Sequence, residues 1–248
     1  MRCWRSRLGL TLLVAGLMAP AAGAVPLFLE DWGVSYGKWD VGEAAALEVH
    51  SFVEDWTWGN HGYLGPGWGG DRYDMEAAYL AVDPDFLYLA VVTGFPLQGR
   101  FDNGDYYAAG DIALDVTGDA VYDYAVDVTD GELRSGDLEW ENPAIGGHPS
   151  FHGVSDPLRV TSWTKTDPLA GFSYGEFQGR YAIEAKIDRT LLGSVASYKM
   201  HWTMGCGNDV GEIFVDQPIH VTPEPGSLLL LGGGLIAAGA ARRLRRKS

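Results

Sequence analysis

Four aspartates on two neighbouring segments form the most regular set of side chains that could do chemistry: Asp111, Asp115, Asp123 and Asp127. Because alternate residues of a strand share a face, each pair lines up if both segments are strands. A three-residue turn would put both pairs on one face of a hairpin, whereas a two- or four-residue turn would separate them. Packed carboxylates predict a Ca²⁺ site, and a solvated acidic face is the alternative.

A second pattern with chemical meaning is a glycine-rich segment, residues 54–73, that carries several aromatic rings. Rings left uncrowded by glycine can stack on the apolar faces of sugars, while nearby polar side chains orient the hydroxyl groups. The alternative is that the rings pack on one another and hold the segment down. Trp58 and Trp68 have glycine neighbours and are the strongest candidates. The predicted ligand-binding residues are Trp56, Trp58, Tyr63 and Trp68.

The sequence offers weaker candidates for catalytic residues than for metal or sugar ligands. Asp74 and Glu76 are a second candidate pair, as metal ligands or as the paired carboxylates of a glycosidase. They lie two residues apart, about 6.6 Å along a strand, which is near the separation of carboxyl pairs in glycoside hydrolases. Any strand with two acids has this spacing, so we assign no catalytic residue. His148 and His152, four residues apart in a loop, are expected to be solvated. Cys206 is expected to be a buried small hydrophobe.

These residues need a scaffold, and the body of the chain predicts short antiparallel strands. Met75–Val82 and Phe86–Thr93 flank a turn at 83–85, and both faces of the second run are apolar, which predicts a central strand covered on both sides. Further strands are predicted at 111–116, 121–128, 180–188 and 198–204, a short helical turn at 189–195, and long loops at 54–73 and 140–178. This pattern predicts an all-β fold, an antiparallel, jelly-roll-like β-sandwich.

The N-terminal end is different in kind. Residues 1–24 have the pattern of a secretory signal peptide, with three arginines, a 12-residue apolar stretch and a small-x-small cleavage site at Ala22-Gly23-Ala24. The stretch is short for a bilayer of about 30 Å, which argues against an uncleaved anchor. The mature chain is therefore predicted to begin at Val25.

The C-terminal end combines a rigid tripeptide, an apolar run and a basic cluster in that order. Pro223, Glu224 and Pro225 precede a predicted transmembrane helix at about 227–241, and residues 242–248 contain five basic side chains. The run spans only about 21 Å as a helix, a thin membrane crossing. The basic cluster would stay on the cytoplasmic side and leave the body outside. The predicted divisions are 1–24, 25–221 and 222–248.

This tail resembles the PEP-CTERM sorting signal of Gram-negative bacteria. The resemblance implies recognition by an exosortase, a membrane protease or transpeptidase similar to sortases, and delivery to the cell envelope or the exterior. Such proteins commonly accompany exopolysaccharide and biofilm systems, so an exopolysaccharide is an expected partner. A sortase substrate would need an L-P-x-T-G sequence, which the chain lacks. A plain single-pass anchor is the alternative.

The body more distantly resembles family 9 carbohydrate-binding modules and related DOMON-like sandwiches. The resemblance rests on residues 73–77, before the first strand pair, and on residues 110–115, after it. It implies a sandwich fold and carbohydrate as the class of ligand. Calcium supports the loops of those modules.

Charge separates the body from its two ends. The chain carries 33 acidic and 18 basic residues, but residues 25–225 contain all the acids and only 10 of the bases, a net charge of −23. Binding nucleic acid takes clustered Lys and Arg, so this class of partner is excluded. The sequence predicts an exported, exosortase-processed envelope protein whose β-sandwich binds a carbohydrate or surface partner and is not catalytic. A secreted glycoside hydrolase and a purely structural surface protein are the alternatives.

Overall fold

The computed structural model describes residues 27–43, 45–53, 72–102, 104–143 and 155–216. Within these ranges the fold is all-β, and the strand pairings are antiparallel. The predicted signal peptide and transmembrane helix fall outside them. No helix in the described ranges is long and apolar enough to cross a membrane.

A five-stranded sheet forms one layer of the protein. Its strands, from edge to edge, are β1 (Val49–Val53), β2 (Met75–Val82), β3 (Phe86–Thr93), β13 (Arg180–Asp188) and β12 (Gly171–Phe177). The predicted bounds of β2, β3 and β13 are confirmed, and β3 is central as predicted. These strands can be predicted from the sequence because their apolar residues form continuous or alternating runs.

A six-stranded sheet forms the other layer. Its strands, from edge to edge, are β11 (Lys165–Pro168), β8 (Glu132–Ser135), β7 (Tyr124–Asp127), β6 (Ile112–Asp115), β14 (Tyr198–Thr203) and β15 (Val210–Val215). Two separate two-stranded sheets are formed by β4 (Arg100–Asp102) with β5 (Asp105–Tyr107), and by β9 (Glu139–Glu141) with β10 (Arg159–Ser162).

The two layers enclose one apolar core, which confirms the β-sandwich. Leu80 and Leu89 of the five-stranded sheet belong to the same buried cluster as Leu114, Met200 and Trp202 of the six-stranded sheet. Inward residues alternate with outward ones along strands such as β3, where Leu87, Leu89 and Val91 face this core, as packing two sheets face to face requires.

A second apolar cluster covers the outer face of the five-stranded sheet. Residues 27–43, which we call the N-terminal segment, supply the covering side chains of this cluster. Among them are Trp32 and Trp39, which are 4% and 1% exposed. Their rings lie over small side chains such as Ala77 and Ala90. Because this segment closes the outer face, β2 is buried at every position.

The predicted long loop at 140–178 is wrong. It contains the end of β9 and the whole of β10, β11 and β12. These strands escape sequence recognition because they are short, polar or glycine-containing, and β11 and β12 are sheet edges with partly exposed residues. The predicted helical turn is a 3-10 turn limited to Arg189–Leu191.

Candidate functional site

The four aspartates of the predicted metal site lie on the β6–β7 hairpin. Its register, continued by one position at each end, sets Asp111 opposite Asp127 and Asp115 opposite Asp123. An odd number of residues separates Asp115 from Asp123, so all four side chains share the face that points away from the apolar core. The structure therefore brings the four residues to one face, through a longer loop than three residues.

Asp115 and Asp123 organise the loop of this hairpin. The carboxylate of Asp115 accepts backbone N–H groups from Thr117 (3.0 Å), Gly118 (2.7 Å) and Ala120 (3.0 Å). Asp123 accepts the backbone N–H of Val116 and shares that of Thr117 with Asp115. Such side-chain acceptors replace the strand hydrogen bonds that a loop lacks.

Asp111 and Asp127 connect the hairpin to its neighbours. Asp111 is 1% exposed, and its two oxygens accept N–H groups from Val128 and from Val160 of β10, both at 2.9 Å. Burial raises the pKa of Asp111 to about 7, against the effect of these hydrogen bonds. Asp127 accepts from the Arg134 guanidinium, whose Nε and Nη2 lie 3.1 and 2.9 Å away.

The alternative of a solvated acidic face is wrong for Asp111, Asp115 and Asp127, which are buried. Their oxygens accept hydrogen bonds from the protein. Among the described residues, no group of three or more His, Cys, Asp or Glu is arranged to hold a metal ion. The calcium prediction gains no support from this geometry and stays a prediction.

An open cleft of about 910 Å³ lies at the loop end of the same hairpin. The half-buried rings of Tyr122 and Trp140 line it, with centroids 6.0 Å apart and planes inclined at 65°. We call it the Tyr122–Trp140 cleft. Polar side chains in its lining include Thr117, Asp123, Ser135, Asp137 and Ser194.

A polar network that contains one buried histidine packs against Tyr122. The fully buried His201 lies with Nδ1 3.1 Å from Glu212 and Nε2 3.1 Å from the Pro157 carbonyl. Lys199 reaches the same Glu212 oxygen at 3.0 Å. The hydrogen bond from His201, aided by Lys199, lowers the pKa of Glu212 to about 2. Tyr122 packs 5.9 Å from the His201 ring, which fixes its orientation in the cleft wall.

Sequence reasoning missed this cleft and network. The signal was present in β14, where Lys199 and His201 alternate with apolar residues and so share the outer face. What the sequence could not indicate is the pairing of β14 with β15, which brings Glu212 opposite His201.

The two carboxyl groups considered for hydrolysis are buried in the structure. Asp74 and Glu76 are 1% and 0% exposed. Glu76 accepts from Trp39 Nε1 at 2.9 Å and from Arg180 Nε. A buried, bonded carboxylate has no surface with which to contact a sugar, so this pair does not form an open site.

Residues 171–175 formally match the G-x-S-x-G pattern of a nucleophile elbow. That motif requires a sharp strand-to-helix turn that exposes the serine. Ser173 is instead 6% exposed within β12, opposite Glu184 of β13. The match carries no catalytic meaning here.

Cys206 is buried and free, as predicted. Burial raises the pKa of its thiol to about 12, so the reactive thiolate is scarce near neutral pH.

The remaining predicted site residues lie outside the described ranges. They are Trp56, Trp58, Tyr63 and Trp68 of the aromatic segment, His148 and His152, and Pro223, Glu224 and Pro225 of the tail.

Comparison with known families bears on the C-terminal tail. Residues 221–246 match the PEP-CTERM protein-sorting motif. The chain thus carries the PEP-CTERM signal of an exosortase substrate, which indicates export and association with the cell envelope. The PEP-CTERM match leaves the sandwich unassigned. No curated protein and no solved structure matches the chain.

Proposed function

We propose that the sandwich of this exported protein binds a glycan in the Tyr122–Trp140 cleft and does not hydrolyse it. The observation that carries the proposal is the pair of half-buried rings on the wall of an open cleft of about 910 Å³. Flat rings contact the apolar faces of sugars, and a few polar groups then fix the orientation of the hydroxyls. The PEP-CTERM tail supports an exopolysaccharide at the cell envelope as the glycan and a membrane anchor before processing.

Binding is favoured over hydrolysis by the state of the carboxylates. Hydrolysis of a glycosidic bond needs two carboxyl groups that flank it. In the cleft, Asp123 already accepts backbone N–H groups, and Asp137 sits in an exposed turn with a left-handed backbone, φ 47°. Outside the cleft, Asp74 and Glu76 are buried and have no surface that a sugar could contact. A glycoside hydrolase is the second candidate.

Trp140→Ala is expected to weaken glycan retention at least tenfold, because one of the two stacking surfaces is removed. The measurement is a glycan-array screen of the full chain, followed by titration of the best ligand. Tyr36→Ala is the matched control, since it removes an aromatic ring that is 59% exposed on the N-terminal segment. Melting curves of both variants establish that they are folded.

Three results would contradict the proposal. The wild-type chain could retain no glycan, Trp140→Ala could retain as much as the wild type, or the bound glycan could be cleaved, as product analysis would reveal. Trp58→Ala and Trp68→Ala are tested in the same screen. A loss confined to those two variants would move the site to the predicted aromatic segment.

Replacement of Pro223, Glu224 and Pro225 by alanine is expected to leave the precursor unprocessed in the membrane. The tripeptide is the part of the matched motif that is rigid and specific, while the apolar and basic parts are generic. The measurement is fractionation of cells with detection of precursor and product. Pro218→Ala, outside the matched residues, is the control. Normal release of the triple variant would refute recognition through this tripeptide.

A further inference from the structure

Three arginines line one pocket on this strongly acidic domain. Residues 25–225 contain 10 basic residues against 33 acidic ones, yet Arg72, Arg100 and Arg180 meet at a single pocket of about 430 Å³. None of the described residues in its lining is acidic. We call it the arginine pocket, and the charged side chains that the structure describes in its lining are all basic.

Two of these arginines have no carboxylate partner within the described part of the chain. Arg72 is exposed and Arg100 half-buried, and neither makes an ion pair or donates a side-chain hydrogen bond to a described residue. Arg180 is held by Glu76. By contrast, ion pairs engage the side chains of Arg134, Arg159, Lys165 and Lys199.

Local structure holds Arg100 at the pocket. Its guanidinium carbon lies 5.7 Å from the centre of the Tyr73 ring, a cation–π distance. The hairpin of β4 and β5 starts at a tight turn in which Gly99 has φ +69°, and a Cβ there would lie 2.4 Å from Tyr107 O. Only glycine fits, so the turn fixes where Arg100 leaves the backbone.

An aromatic surface adjoins the guanidinium groups. Phe101, which also lines the pocket, is 77% exposed, and its register partner Tyr106 is 51% exposed. Their ring centroids are 5.0 Å apart. Two adjacent exposed rings form a continuous apolar surface, which is the kind of surface that ligands with an apolar face contact.

We propose that the arginine pocket binds the carboxylate of an acidic saccharide, with the sugar ring lying against Phe101. A guanidinium presents paired N–H donors that match the two oxygens of a carboxylate. The adjacent ring supplies an apolar surface that a simple inorganic anion cannot use. This site shares no lining residue with the Tyr122–Trp140 cleft and does not depend on it.

The overall charge of the domain sharpens the test. A net charge of −23 repels anions, so non-specific attraction would not bring a polyanion to this surface. Binding of an acidic saccharide therefore reports a local site.

The experiment titrates the full chain with a trigalacturonate and with its methyl ester, which keeps the sugar and removes the charge. We expect the acid to bind, the ester to bind at least tenfold more weakly, and Arg72→Gln/Arg100→Gln to lose at least tenfold in affinity for the acid. Lys38→Gln/Lys165→Gln is the control, because it removes the same charge from exposed positions elsewhere and should keep wild-type affinity. Phe101→Ala should lower the affinity for trigalacturonate and leave the melting temperature unchanged.

Several outcomes would overturn the proposal. These are no binding of trigalacturonate, equal binding of acid and ester, or equal losses in the arginine and lysine double variants. Sulfate competes only weakly if the sugar ring contributes. Sulfate binding as tight as that of the acid, with Phe101→Ala unchanged, would reduce the pocket to a general anion site. Trp140→Ala is expected to leave this titration unaffected, so failure here is separable from failure at the cleft.

Discussion

Glu184→Ala is expected to destabilise the domain by about 3–5 kcal/mol and to release the N-terminal segment from the five-stranded sheet. The carboxylate is 1% exposed and accepts the backbone N–H groups of Leu27, Phe28 and Leu29, each at 2.9 Å. Alanine leaves these donors without an acceptor, two of them in buried surroundings. Hydrogen bonds to a charged acceptor contribute about 1.5–3 kcal/mol each, and the net loss is smaller than the sum of three because the donors of the released segment bond to water.

The loss extends beyond the three hydrogen bonds because of what the segment covers. The outer face beneath it has small side chains, including Ala77, Ala90 and Ala182, and it is closed by the rings of Trp32 and Trp39. Release would expose both the rings and the sheet to water, at about 25 cal/mol for each Å² of apolar surface. If cleavage follows Ala24 as predicted, Glu184 holds the extreme N-terminal end of the mature chain.

The measurement is urea unfolding together with amide hydrogen exchange across residues 27–43. Glu176→Ala is the control, since this glutamate is exposed on β12 and should change stability by less than about 0.5 kcal/mol. Glu184→Gln, which keeps one acceptor oxygen, should fall between the two. Unchanged exchange in the segment of Glu184→Ala would mean that ring packing alone holds it in place.

The sequence predicts strands well where burial alone determines their composition. The runs of β2 and β3 are apolar on both faces, and Ile183, Ala185 and Ile187 alternate along β13. By contrast β12, an edge strand with two glycines and a glutamate, has no such pattern, because only one of its sides pairs with a neighbour. Its strand character comes from pairing with β13, a tertiary effect.

The site is less predictable because its contacts are distant in sequence. Alternation correctly predicted that each pair of aspartates shares a face, but the acceptor role of Asp111 depends on Val160, 49 residues further along the chain. In the same way, nothing in the sequence distinguishes Tyr122 and Trp140 from other aromatic residues, and only the fold brings their ring centroids to 6.0 Å. Composition instead predicts ligand-binding rings in the glycine-rich aromatic segment, residues 54–73.

Arg134→Met is expected to cost about 3–5 kcal/mol, the other large effect in the sandwich. The Arg134 side chain is 5% exposed and forms ion pairs with Asp127, Asp130 and Glu132. Its guanidinium carbon also lies 4.2 Å from the Trp163 ring centre. Methionine fills much of the volume but leaves Asp127, only 11% exposed, without its counter-charge. An uncompensated buried carboxylate is the main cause of the loss.

A matched variant separates this effect from the general value of an ion pair. Arg159 pairs with Glu141 at 2.6 Å, but the two side chains are 41% and 46% exposed. Exposed pairs contribute about 0–1 kcal/mol and are screened by salt, so Arg159→Met should cost little, and less still in 1 M NaCl. The cost of Arg134→Met should change little with salt, because a buried pair is poorly screened. Adding Asp127→Asn to Arg134→Met should recover part of the loss. Equal unfolding free energies for Arg134→Met and Arg159→Met would mean that burial does not strengthen this network, since the two variants remove the same side chain and differ chiefly in its surroundings.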